Sequence, residues 1–151
     1  MQFVGDAVMA VFGAPFPQPD HADRAVAAAS SMHSLQAGIN ARWSAEGLHP
    51  FGLGIGLSTG EVAAALLGSE ERLEYTLVGD TVNLSQRLQN LAAAGETVMS
   101  EATWRGLSVP ADATALGSQL VKGRDTPVNA YKLAPPGAPA TTAGPSISLT
   151  R

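Results

Sequence analysis

With 151 residues, of which 45% are hydrophobic and 15% charged, the chain is the size of one globular domain and can bury a core. A net charge of -4 leaves no basic stripe for nucleic acid or anionic lipid, and the absence of cysteine excludes a disulfide framework or a thiolate metal site. No apolar run approaches the length of a membrane helix and no basic-then-apolar leader is present, so a cytoplasmic protein with no membrane segment is expected.

Along the chain, Gln2 to Val4 and Ala7 to Phe12 are two apolar arms around a Gly5-Asp6 corner, a hairpin with a short first strand. GAPFPQP then stops extended structure. Asp20 is placed to cap a helix, with Asp23 in its first turn beside the positive end of the dipole. Val26, Ala29, Met32, Leu35, Ile39 and Trp43 recur at helical spacing, so that face is expected to pack, and Gly47 ends the helix. FGLGIGLSTGEV reads as a glycine-rich strand whose small residues let a backbone or ligand come close. It does not match the dinucleotide fingerprint, because no glycine stands three residues after Gly56. EYTLV is a short strand. Asp80 or Thr81 is placed to cap the helix TVNLSQRLQNLAAAG, with Leu84, Leu88 and Leu91 as its apolar stripe and Gly95 as its stop. TVMS reads as a strand, EATWRGL as a short helix, and SQLVKGRDTPVNAYKL as a closing hairpin turned at GRDTP. Residues 134–151, APPGAPATTAGPSISLTR, lack large side chains and read as a flexible tail or linker. Strands and helices mix without a strict βαβ repeat, which points to an α+β fold with helices on a largely antiparallel sheet.

Few residues single themselves out chemically. Asn83 and Arg87, four apart, stand one above the other on their helix, with Asn90 continuing the row; taken alone, this is an ordinary solvated helix edge. Asp6 alone is an ordinary turn residue, and Lys122 and Arg124 are cations flanking a glycine in a hairpin. His21, His33 and His49 have no metal-ligand spacing. Ser58 does not fit a nucleophile elbow.

The order of the pieces says more. GDAVMAVFG, DHADRAV, GIGLSTGEV, EYTLVGDTVNLSQRLQ and LVKGRDTPVNAYKL together resemble, in sequence order from Gln2 to Leu133, the later two-thirds of the class III adenylate/guanylate cyclase catalytic domain. The resemblance implies a ferredoxin-like βαββαβ domain over residues 1–133. It implies cyclisation of ATP or GTP to the 3′,5′-cyclic monophosphate with release of pyrophosphate, at sites formed between two subunits of a homodimer or of a pair of cyclase domains. By the same resemblance Asp6 is one of two aspartates that hold paired Mg²⁺ or Mn²⁺ ions. Asn83 orients the ribose, Arg87 stabilises the transition-state phosphate, and Lys122, with Arg124 nearby, holds the terminal phosphates. In such dimers the metal aspartates come from one subunit and the Asn/Arg pair from the other.

Two departures from the family pattern carry expectations. Where adenylate-specific members have a lysine and an aspartate against the purine, this sequence has Gln2 and Thr76; an amide and a hydroxyl can each donate or accept, so either purine edge can be met. Family domains also open with a Phe-x-Asp-Ile-x-x-Phe-Thr strand, which supplies the first metal aspartate, followed by helices, and this sequence enters the pattern after them. Met1 then stands at an interior position of the domain, and this chain alone is expected to show little or no cyclase activity. The alternative is a cyclase-like module without catalysis that dimerises or binds nucleotide.

Overall fold

The computed structural model describes residues 2–4, 6–69, 72–119 and 127–133. Its elements are β1 (Gln2–Val4), β2 (Ala7–Met9), α1 (His21–Ala45), β3 (Ile55–Leu57), β4 (Ala63–Ser69), β5 (Arg72–Val78), α2 (Asp80–Leu91), β6 (Thr97–Ser100), α3 (Glu101–Arg105), β7 (Ala113–Gln119) and β8 (Val128–Leu133). The main sheet runs β3-β6-β8-β7, while β1-β2 and β4-β5 are separate two-stranded hairpins. Within the main sheet β3 lies parallel to β6, and the β6-β8 and β7-β8 pairs are antiparallel. The expected α+β arrangement is therefore present. The turn expected at GRDTP, apart from Pro127, and the tail at 134–151 lie outside the described residues. No helix among the described residues is long and apolar enough to cross a membrane.

The core forms where α2 lies on the sheet. Leu84 and Leu88, one helical turn apart, meet Val98 of β6 and Ala130 of β8, with Ala92, Leu116 and Val128 packed around them. Leu88, Val98, Met99 and Ala130 are fully buried, and burying a leucine or valine side chain from water contributes roughly 1.5–3 kcal/mol. Leu84 and Leu88 thus turn one face of α2 onto β6 and β8 and leave the Asn83 edge exposed, whereas Leu91, the third leucine of the expected stripe, is exposed at the end of the helix.

Several boundaries differ from the sequence reading. Asp20 precedes α1, but its side chain makes no capping bond. Its carboxylate instead accepts from Arg24 Nε at 2.8 Å, which holds the Asp20 carboxyl below its ordinary range. The apolar stripe of α1 is only partly covered: Ala29 is buried, whereas Met32 and Trp43 are exposed and Leu35 is 69% exposed. The strand expected across FGLGIGLSTGEV shrinks to Ile55–Leu57, because the side chains of Ser58 and Thr59 turn to partners outside the sheet, the Thr81 carbonyl and the Thr103 hydroxyl. A further strand, β4, follows and pairs along its whole length with β5, a longer strand than EYTLV alone. Gly79, not Asp80 or Thr81, occupies the position before α2, and its carbonyl accepts from the Val82 and Asn83 amides. The helix ends at Leu91, before Gly95, since Ala92 turns extended at ψ 122° and the Ala93 amide is taken by the Glu96 carboxylate. Gly95, at φ 83°, donates its amide to the Leu53 carbonyl and ties that loop to the segment before β3. By contrast, Gly47 at φ 74° does follow the end of α1.

Glu96 also sets a pH response. Lys132 Nζ on β8 donates to it at 2.9 Å, and that bond, with the Ala93 amide, holds the Glu96 carboxyl below its ordinary range. Glu101 is lowered likewise by Asn129 and then Arg105. A carboxyl lowered in the folded state contributes stability above its unfolded pKa, and that contribution is lost as pH falls through the folded value. The urea midpoint is therefore expected to hold from neutral pH down to about 4.5, the ordinary glutamate value, and to fall below it. Glu96→Gln should flatten part of that acid limb. An unchanged limb in the variant would show that other carboxyls carry it.

Candidate active site

The candidate site is built on α2. Asn83 and Arg87 are one turn apart on the same edge of the helix, beside the Leu84–Leu88 stripe that packs on the sheet. Asn83 is exposed, so its amide is available to a ligand. Arg87 is half-buried, and its Nη1 is out of reach of water and without a hydrogen-bond partner among the described residues. A guanidinium nitrogen stripped of water and given no acceptor is a costly arrangement. Among the described residues the guanidinium thus keeps donor capacity that no protein acceptor takes, and a phosphate matches its forked donors.

The remaining expected residues are placed as follows. Asp6 stands exposed in a turn directly before β2, on a hairpin distinct from the sheet that α2 covers. Gln2 lies in β1 opposite Met9, and Thr76 lies in β5 opposite Ala65, two residues before the strand ends at Val78. Thr76 stands three residues before Gly79, the residue that precedes α2. Lys122 and Arg124 lie outside the described residues. The described geometry thus unites Asn83 and Arg87, and no hydrogen bond or ion pair among the described residues joins Asp6 to them. His33 is not a ligand candidate, since its Nε2 pairs with the buried Thr97 hydroxyl at 2.9 Å.

A carboxylate such as Asp6 is the right class of group for a hard divalent cation. Among the described residues, however, no group of three or more His, Cys, Asp or Glu side chains is placed to hold a metal ion. Asp6 by itself does not make a cage for two such ions.

Other residues matter here through backbone packing and hydroxyl bonds. A side chain on Gly56 would put its Cβ 2.1 Å from the Ser85 carbonyl and 2.3 Å from the Gln89 amide, and one on Gly54 would come 2.7 Å from the Ala92 carbonyl. The glycine-rich stretch thus brings backbone against backbone along α2, as its small residues suggest. Ser58 Oγ donates to the Thr81 carbonyl at 2.6 Å, and Thr81 Oγ1 donates to the Glu61 carbonyl at 2.9 Å. The only sequence signal for this latch is two hydroxyl residues, Ser58 and Thr81, each within two residues of a glycine.

The family model described as the adenylate and guanylate cyclase catalytic domain matches residues 1–134. Adenylate cyclase 1 of Rhizobium meliloti (strain 1021) is 33% identical over 135 residues, covering 88% of this chain and 20% of that protein. Among solved structures, the guanylyl cyclase Cya2 is 34% identical with a TM-score of 0.80 and covers 93% of this chain and 71% of its own. The adenylyl cyclase CyaB from P. aeruginosa is 32% identical with a TM-score of 0.82, covering 88% and 69%. The chain spans only about a fifth of the length of the curated relatives it matches, and its fold is the α+β cyclase fold of these structures. This chain belongs to the class III adenylate and guanylate cyclase catalytic domain family.

Proposed function

We propose that this domain converts ATP, or GTP, to its 3′,5′-cyclic monophosphate and pyrophosphate, in a site shared between two cyclase domains. The observation that carries the reading is the water-shielded, unpaired Nη1 of Arg87 one turn from an exposed Asn83, in a chain of the cyclase family. The ribose 3′ oxygen attacks the α-phosphorus, the bond from that phosphorus to the pyrophosphate oxygen breaks, and the 3′ hydroxyl proton leaves to solvent or base. Charge grows on the non-bridging oxygens of the α-phosphate, where a fixed guanidinium stabilises the transition state more than the ground state. Asn83 orients the ribose so that its 3′ oxygen lies in line with the leaving group. Lys122 and Arg124 are assigned to the terminal phosphates, and Gln2 and Thr76 to the purine edge. The amide and hydroxyl of that pair can serve either base, and similarity to both an adenylyl and a guanylyl cyclase leaves both nucleotides in play. Asp6 is the carboxylate that this chain offers to a divalent cation, Mg²⁺ or Mn²⁺, which when bound neutralises triphosphate charge.

Complementation tests this reading. If the domain contributes its Asn/Arg edge to a shared site, adding the chain to a cyclase domain whose own arginine is replaced by alanine should restore cyclic nucleotide formation from ATP or GTP with Mn²⁺. Dimer formation or nucleotide binding with no cyclic product from either triphosphate would instead identify a module without catalysis.

A further inference from the structure

The latch between the end of β3 and the start of α2 has a consequence for the site. We infer that Ser58 is a positioning residue for Asn83 and Arg87, acting through the first turn of α2; this rests on the cyclase reading above. The Ser58 hydroxyl donates to the Thr81 carbonyl at 2.6 Å, two residues before Asn83 and six before Arg87. Thr81 is held a second time, by its own hydroxyl on the Glu61 carbonyl at 2.9 Å. The first turn of α2 is thus tied by side chains to both ends of the segment between β3 and β4.

The tie compensates for a local weakness. The residue before this helix is Gly79, which has no side chain to cap it, and the Gly79 carbonyl accepts from both the Val82 and Asn83 amides at 3.1 and 3.3 Å. Helix ends are where fraying begins, and Asn83 sits in the opening turn, where one carbonyl serves two amides. Leu84 and Leu88 anchor the helix in the core from the residue after Asn83 onward, and the latch adds a tie on the N-terminal side of Asn83, at Thr81. Gly60 shows how closely the latch is fitted, since a Cβ there would come 2.5 Å from Thr81 Oγ1. Both Ser58 and Thr81 are half-buried, so water competes only in part for their bonds.

Two measurements on the chain test this. Amide hydrogen exchange followed by NMR should show residues 82–87 exchanging about tenfold faster in Ser58→Ala, with exchange in β6 and β8 unchanged. In the complementation assay the same variant should lower turnover about tenfold with KM held within about threefold. Ser58→Thr, which keeps the hydroxyl, should recover most of both, and Gly60→Ala, which displaces the Thr81 hydroxyl, should resemble Ser58→Ala. Unchanged exchange at 82–87 overturns the inference whatever the assay shows. Faster exchange with full turnover overturns it too, because α2 then presents Asn83 and Arg87 without the latch. Failure of the unaltered chain to complement is a different result: it removes the cyclase reading, whereas failure of the latch alone shows as an active chain insensitive to Ser58→Ala.

Discussion

Replacing Gly56 by alanine is expected to destabilise the fold by about 3 kcal/mol, the upper part of the range for overpacking a well-filled interior. The added Cβ would fall 2.1 Å from the Ser85 carbonyl oxygen, 2.3 Å from the Gln89 amide nitrogen and 2.9 Å from the Gln89 Cα. All three are backbone atoms of α2, so no rotamer change relieves the contact, and the whole helix must lift from β3. That movement would pull Leu84 and Leu88 out of their packing with Val98 and Ala130. The cost is steric and not conformational, which a second glycine makes testable. Gly38, within α1, has nothing within 4 Å of a built Cβ, so Gly38→Ala should stabilise by roughly 0.5–1 kcal/mol through helix propensity. Urea unfolding of the two variants checks both signs, and a neutral Gly56→Ala would show that β3 and α2 have room between them.

The same contrast explains what could be read from the sequence. Helix α2 and strand β6 were legible because Leu84 and Leu88 recur at helical spacing and TVMS is a short run with Val98 and Met99 at its centre, and both signals coincide with the burial found. The small residues of GIGLSTGEV announced a close approach, but not that its partner would be the backbone of α2. Strand β4 was hidden because AAALLGS is rich in alanine, which carries no strand signal of its own; its extended form comes with pairing to β5. The stripe on α1 was legible as a pattern and misleading as a packing rule, because periodicity reports a face and not what covers it. In the site, Asn83 and Arg87 were chemically ordinary as a row on a helix. The family order of segments singled them out, and the burial of Arg87 Nη1 gives that choice a physical reason. Ser58 was mute, since a serine hydroxyl reveals its role only when its acceptor, the Thr81 carbonyl, is in place.

The largest expected effect falls on Arg87. In the complementation assay Arg87→Ala should lower turnover by about 10³, the scale associated with losing a fixed cationic donor to a phosphoryl transition state, while binding of the triphosphate weakens by less than about tenfold. The split follows from the geometry. Nη1 has no acceptor among the described residues, and on the cyclase reading a phosphate is the acceptor whose bond strengthens as charge develops on the α-phosphate oxygens. Arg87→Lys keeps the charge but loses the planar fork and places a strongly hydrated ammonium against the Leu84–Leu88 side of the helix, so it should restore little. Stability should change in the opposite sense, since removing an unsatisfied buried donor relieves a penalty in the folded state; Arg87→Ala is expected to melt no lower than the unaltered chain. Equal losses in binding and turnover would place Arg87 on the ground-state triphosphate, and a marked drop in melting temperature would make it a structural residue of α2.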